Sequence, residues 1–149
     1  MDYAYGIDFD VVEVGAELPA LSPGPISRLT LALFAGASGD HNPVHVDIDY
    51  ARAAGKNDVF AHGMLVMAYL GRLLTNWAPP HAIRRFGARF TAITHVHDRL
   101  SCHGKIVAKD KTKGENLVTV ELSVADEYGE LKIVGQATIA LPPGVKAGR

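Results

Sequence analysis

Apolar residues recur at spacings of three and four from Gly63 to Trp77, where Met64, Met67, Ala68, Gly71, Leu74 and Ala78 form one stripe and Leu65, Leu70 and Leu73 widen it. The spacing predicts a helix over 63–77, stopped by Pro79-Pro80. A helix apolar on most of its circumference must be covered nearly all round, and a sheet curled about it, with a second copy of the chain over the remainder, does that. Ser27 is a predicted N-cap for a shorter helix, RLTLALFAGA, with Leu29, Leu33, Phe34 and Ala37 on one face. DIDYARAAGKND predicts one or two further helical turns ending at Gly55.

Beyond Pro80 the period changes from 3.6 to 2. Ala88–Thr94, Leu100–Asp110, Leu117–Asp126 and Leu131–Leu141 are predicted strands, with KDKTKGEN and DEYGE as hairpin turns between the last three. Val11 to Leu21 reads as an early strand or extended arm, closed by SPGP. Helices followed by a run of antiparallel strands argue for an α+β fold rather than a βαβ alternation.

Length changes this picture little: 149 residues suit a single domain over 1–149, with the proline-led PPGVKAGR (142–149) as a frayed tail. Fifteen Lys and Arg against sixteen Asp and Glu leave a net charge of −1, so nothing points to nucleic acid. The single cysteine, Cys102, excludes an internal disulfide and a cysteine-based zinc cluster and suits a reducing compartment. The acidic start MDYAYGIDFD is unlike a signal peptide, and no apolar run reaches the roughly 18 residues that span a bilayer. The expectation is a cytoplasmic protein without membrane insertion.

Candidate chemistry concentrates in SGDHNPVHVD, residues 38–47. By itself this stretch reads as a polar turn capping the next helix. A sharper reading pairs Asp40 with His45, five residues apart on a loop stiffened by Pro43, which fixes its own φ and restricts Asn42. A histidine whose ordinary pKa is about 6.5 moves protons in either direction near neutrality, and an adjacent carboxylate can orient the same water. A metal site from His41, His45, Asp47 and His62 is the competing idea. It lacks a helical HExxH spacing and any cysteine, and no metal is expected.

Phe34, Ser38-Gly39-Asp40, Asn42-Pro43, His45 and Ala51, followed by Ala61-His62-Gly63-Met64 and by Arg89-Phe90, closely resemble the signature of MaoC-like (R)-specific enoyl-thioester hydratases and dehydratases. The resemblance extends over roughly residues 10 to 141. It implies a hot-dog fold, a long helix wrapped by an antiparallel sheet, in a homodimer or a heterodimer with another hot-dog subunit. It implies Asp40 and His45 as the catalytic pair, Asn42 shaping the loop, and the Gly63 N–H facing the thioester oxygen. No cofactor is implied, only a coenzyme A or acyl-carrier thioester as substrate. THVHD (94–98) departs from the family pattern, placing His95 and His97 where a Pro-Val pair and a Gly-Asp turn are common.

Water addition to an enoyl thioester needs a base, an acid, and donors for an enolate-like oxygen. A helix N-terminus supplies such donors, and glycine lets a ligand approach the backbone closely. His62 either lines the pocket or packs at the helix start. Arg84, Arg85, Arg89 and Lys56 are candidates for the carrier's phosphates, with a solvated basic surface as the plainer reading. Cys102 is expected to be inert. Two other classes remain: a non-catalytic acyl-binding subunit of a heteromeric hydratase, and a hot-dog thioesterase.

Overall fold

The computed structural model describes residues 7–112 and 114–142. Its elements are α1 (Arg28–Ser38), a 3₁₀ turn (Pro43–His45), α2 (Ile48–Ala53), α3 (Gly63–Trp77), a second 3₁₀ turn (Pro80–Ala82), β1 (Ile83–Phe90), β2 (Ser101–Thr112), β3 (Glu115–Ala125) and β4 (Leu131–Leu141). The four strands form one antiparallel sheet in the order β1-β4-β3-β2. The expected α+β arrangement is present: one face of the sheet wraps α3.

Strand pleating explains that wrap. Val118, Val120, Leu122 and Val124 alternate inward along β3, joined by Cys102 and Ile106 from β2 and Ile133, Ala137 and Ile139 from β4, all buried. Leu65, Val66, Leu70, Leu73, Leu74 and Trp77 of α3 belong to the same core, each contributing about 1.5–3 kcal/mol on burial. Gly104 lets helix and sheet approach closely, since a Cβ there would lie 3.2 Å from side-chain carbons of Leu73, Leu18 and Val120.

Ser27 caps α1 as predicted, accepting from the Thr30 N–H at 3.0 Å. Of the predicted apolar face of α1, Phe34 packs against the core but the rest does not. Leu29 and Leu33 are 68% and 65% exposed and Ala37 is exposed, whereas Leu31 and Ala35 are buried. Leucines at 29, 31 and 33 put apolar groups on both sides of a helix, and only docking decides which side is covered. α3 has the predicted bounds, but Met64 and Ala68 of the predicted stripe are exposed.

β1 also corrects the expectation of a strand over 88–94. It is an edge strand rich in outward arginines, which weakens its apolar alternation, and it leaves the sheet after Phe90 although TAIT has β propensity. Thr91 N–H still donates to the Lys132 carbonyl (2.9 Å), but Thr94 C=O turns to accept from Ala61 N–H (2.9 Å). The extended arm pairs only at isolated bridges with the edge of β2, Glu17 with Lys105 and Leu21 with Cys102. The predicted tail from Pro143 onward and residues 1–6 lie outside the described residues. Among the described residues no helix is long and apolar enough to cross a membrane.

Candidate active site

The loop after α1 builds itself from short-range hydrogen bonds. Gly39 ends the helix in the left-handed region at φ 77°. Asp40 N–H donates to Ser38 Oγ (3.2 Å), Asn42 N–H to Asp40 Oδ1 (3.3 Å) and Val44 N–H to Asn42 Oδ1 (3.2 Å). Asn42 therefore caps the 3₁₀ turn that carries His45, with Pro43 at its first position. Asp47 caps α2, accepting from the N–H groups of Asp49 and Tyr50 at 2.9 and 3.1 Å. Of the four residues of the metal idea, His45 and His62 come together, with Asp40 rather than His41 or Asp47 beside them.

His45 is buried, and its Nδ1 lies 2.7 Å from the Phe60 carbonyl oxygen. A carbonyl only accepts, so Nδ1 carries the hydrogen, and in the neutral imidazole the lone pair is on Nε2. His62 is 1% exposed; its Nε2–H donates to the Asp40 carbonyl at 3.2 Å. The two imidazoles stack with centroids 3.9 Å apart and planes at 29°, and Phe34 meets His62 edge-on at 5.0 Å. A ring nitrogen from each histidine and a carboxylate oxygen of exposed Asp40 all lie within 4.8 Å of one another. One water about 2.8 Å from each partner bridges such a gap.

His62 stands at the N-cap position of α3 but makes no capping bond. Burial lowers its pKa below the usual histidine value, helped by the nearby His45, against the opposing pull of the Asp40 carbonyl and carboxylate. Its buried Nδ1 has no hydrogen-bond partner among the described residues.

Gly63 opens α3, so its N–H stands outside the helical ladder at the positive end of the dipole. A Cβ here would come within 2.9 Å of the Phe90 ring. A cavity of about 170 Å³ adjoins this point, lined in part by Phe60, Ala61, Gly63, Phe90, Ile93 and Lys132.

The four candidate phosphate contacts are not gathered beside this pair. Arg84 donates to Glu115 (2.6 and 2.8 Å) and to the His81 carbonyl, near the other end of α3, and this pairing raises its pKa. Arg85 and Arg89 line a separate depression with Glu121 and Gln136. Lys56 Nζ sits 6.0 Å over the Phe60 ring. Burial pushes the Cys102 thiol up to about 11, against a weaker pull from Arg72, as suits an inert side chain.

Two participants escaped the sequence reading. The Phe60 carbonyl carries no residue-specific signal, because any residue offers one. Lys132 is 1% exposed within β4 and contacts Asp98, Asp126 and Glu130; the only hint is a lysine between Leu131 and Ile133 following an acidic turn.

Residues 11–128 match the family described as MaoC like domain. A mitochondrial 3-hydroxyacyl-[acyl-carrier-protein] dehydratase of Arabidopsis thaliana is 28% identical over 110 residues, which span 73% of this chain and 66% of that protein, just under two thirds of its length. The 3-oxo-4,17-pregnadiene-20-carboxyl-CoA hydratase beta subunit of Mycobacterium tuberculosis is 32% identical over 128 residues, covering 76% and 97% of the two chains. Among solved structures, unliganded R-hydratase PhaJ1 from Pseudomonas aeruginosa superposes with a TM-score of 0.81 at 28% identity, covering 96% of this chain and 92% of that one. With the helix-in-sheet fold and the Asp40/His45 loop already in place, these matches make the chain a member of the MaoC-like hot-dog family of hydratases and dehydratases.

Proposed function

We propose that this protein adds water reversibly to trans-2-enoyl thioesters, giving (R)-3-hydroxyacyl thioesters, with Asp40 and His45 as its acid-base pair. One observation carries the reading: His45 Nδ1 is held by the Phe60 carbonyl, which leaves Nε2 as the free nitrogen of the neutral ring, and His45 stands in a cluster with the Asp40 carboxylate no more than 4.8 Å across. In the hydration direction His45 Nε2 takes a proton from water while Asp40 orients it, the water oxygen bonds to C3, and the electron pair of the double bond moves toward the thioester oxygen. The Gly63 N–H stabilises that enolate-like oxygen. The pair then delivers a proton to C2, so that one water is consumed and the pair regains its starting state. His62, kept neutral by burial, packs under His45 and adds no competing charge. The substrate arrives on coenzyme A or an acyl carrier, and no other cofactor enters the reaction.

Self-association fits the surface. Among the described residues β1 is an edge strand with one unpaired side, and Leu29, Leu33, Val46, Tyr50, Met64 and Phe90 are apolar and exposed. We propose a homodimer. The M. tuberculosis relative, described as a beta subunit, favours a second reading, a subunit that works beside another hot-dog chain.

A panel of enoyl-thioesters of increasing chain length, followed by loss of the conjugated absorbance, tests the proposal, with size measured in parallel. Hydration by the purified chain, yielding the (R)-alcohol, is expected. Turnover only after a partner is added supports the subunit reading, and release of free thiol without hydration would replace both with a thioesterase.

A further inference from the structure

Lys132 is a buried cation that the chemistry above does not use. Its Nζ donates to the Ile93 carbonyl (3.1 Å) and to Glu130, and lies 3.0 Å from Asp126 Oδ2 and 3.4 Å from Asp98 Oδ2. Burial opposes its charge, but Glu130, Asp126 and Asp98 outweigh that and raise its pKa. Three protons facing four acceptors leave no donor for a substrate, although the lysine borders the same cavity as Gly63.

What the ammonium grips is the 91–98 segment. It takes Ile93 directly and Asp98 by charge, and Asp98 Oδ2 in turn accepts from His95 N–H at 2.8 Å. The same segment holds the chain ahead of α3: Thr94 C=O accepts from Ala61 N–H at 2.9 Å, and Phe60 bridges to His95. Phe60 is the residue whose carbonyl fixes the His45 tautomer. A contiguous path of hydrogen bonds therefore runs from Lys132 through Ile93–Asp98 to Phe60 and His45.

We infer that Lys132 is a positioning residue: by pinning the 91–98 segment it holds the Phe60 carbonyl in place, and so keeps the His45 proton on Nδ1 and the Nε2 lone pair toward the substrate. This rests on His45 being the proton carrier. If Phe60 drifts, the imidazole can place its hydrogen on Nε2, which then cannot accept a proton from water. The segment's other anchors lie toward its ends, Thr91 on the Leu131 and Lys132 carbonyls and His97 and Asp98 on Ile26, while Ile93 and His95 between them are exposed.

Two variants test this. Lys132→Met keeps most of the side-chain volume and removes the ammonium. Lys132→Met/Asp98→Asn/Asp126→Asn also removes the two carboxylates that would be left inside without a cation, while keeping an acceptor oxygen at each position, so that folding survives if the single variant fails. ¹⁵N NMR of histidine side chains reads the His45 tautomer, and steady-state kinetics with an enoyl-thioester reads kcat and KM separately. The expected result is a single Nδ1–H tautomer in the wild type, a mixed one in the variants, and kcat lower by about tenfold with KM nearly unchanged. A folded variant that keeps the wild-type tautomer and kcat, and loses only thermal stability, overturns the inference. Wild-type protein with no hydration activity would sink the proposed reaction instead, and the tautomer comparison would still decide the role of Lys132.

Discussion

Two segments meet at the start of α3, and they are held in opposite ways. In 38–47 the contacts that shape the loop are local: Ser38, Asp40, Asn42 and Asp47 each accept from a backbone N–H two or three residues on, while His45 to Phe60 and the Asp40 carbonyl to His62 tie it to the chain ahead of α3. In 91–98 most anchors are distant: Thr91 Oγ reaches the Leu131 carbonyl (2.6 Å), Lys132 reaches Ile93, and His97 N–H reaches the Ile26 carbonyl (2.7 Å). The first carries the proposed acid-base pair on a loop that largely specifies its own shape. The second pairs with Phe60 and Ala61, and Phe60 in turn contacts His45, so the shape of 91–98 depends on strands and loops elsewhere.

The sharpest way to break this contrast is to strip the chemistry from the local loop while leaving its geometry. Asp40→Asn and His45→Gln should each lower turnover at least about 100-fold with near-wild-type thermal unfolding. Wild-type rates in both would move the chemistry off this loop. Asn42→Ala tests whether the loop is as self-sufficient as its hydrogen bonds suggest. Losing the acceptor for Val44 N–H should cost about 1 kcal/mol in urea unfolding, with Asn42→Asp restoring it. A cost near zero would mean that tertiary contacts hold the 3₁₀ turn.

His62 lies between the two segments and reports on both by pH. Because burial depresses its folded pKa below the ordinary 6.5, its neutral form is the one the fold accommodates. The unfolded chain then binds more protons between the folded pKa and 6.5, so stability is full above 6.5 and declines as pH falls through that window. His62→Gln, which keeps an amide donor for the Asp40 carbonyl, should flatten the melting-temperature profile below pH 6.5; an unchanged slope would assign the acid sensitivity to other groups. The smallest effect is expected at His97. Its φ of 77° is left-handed, a conformation that costs a non-glycine residue about 1–2 kcal/mol, and glycine's greater unfolded-state entropy offsets part of the relief. His97→Gly should raise the melting temperature slightly or leave it unchanged. A clear fall would mean that the imidazole holds the turn together.

Much of the fold was legible in the chain. The bounds of α3, the Ser27 cap and the last three strands follow from periodicity and turn residues, which are local properties. The shape of the loop bearing Asp40, Asn42 and His45 was legible for the same reason, since their spacing and the proline between them act within one loop, while their roles came from the family resemblance. The buried side of α1 was not, because leucines at 29, 31 and 33 serve either side. The start of β1 was hidden by arginines that suit an edge strand, and the dispersal of Arg84, Arg85, Arg89 and Lys56 could not be seen without knowing which faces they share.

The sequence by itself therefore determined the elements, the α+β class and the loop that bears Asp40 and His45, because backbone propensity, capping and alternation act over a few residues. Tertiary structure alone decided that the Phe60 carbonyl selects the His45 tautomer, that His62 is buried against it, and that Lys132 sits among three carboxylates behind them. Those facts depend on His45 and Phe60, His45 and His62, and Asp98 and Lys132, each pair distant in sequence, being brought within reach, and only the sheet folded around α3 does that.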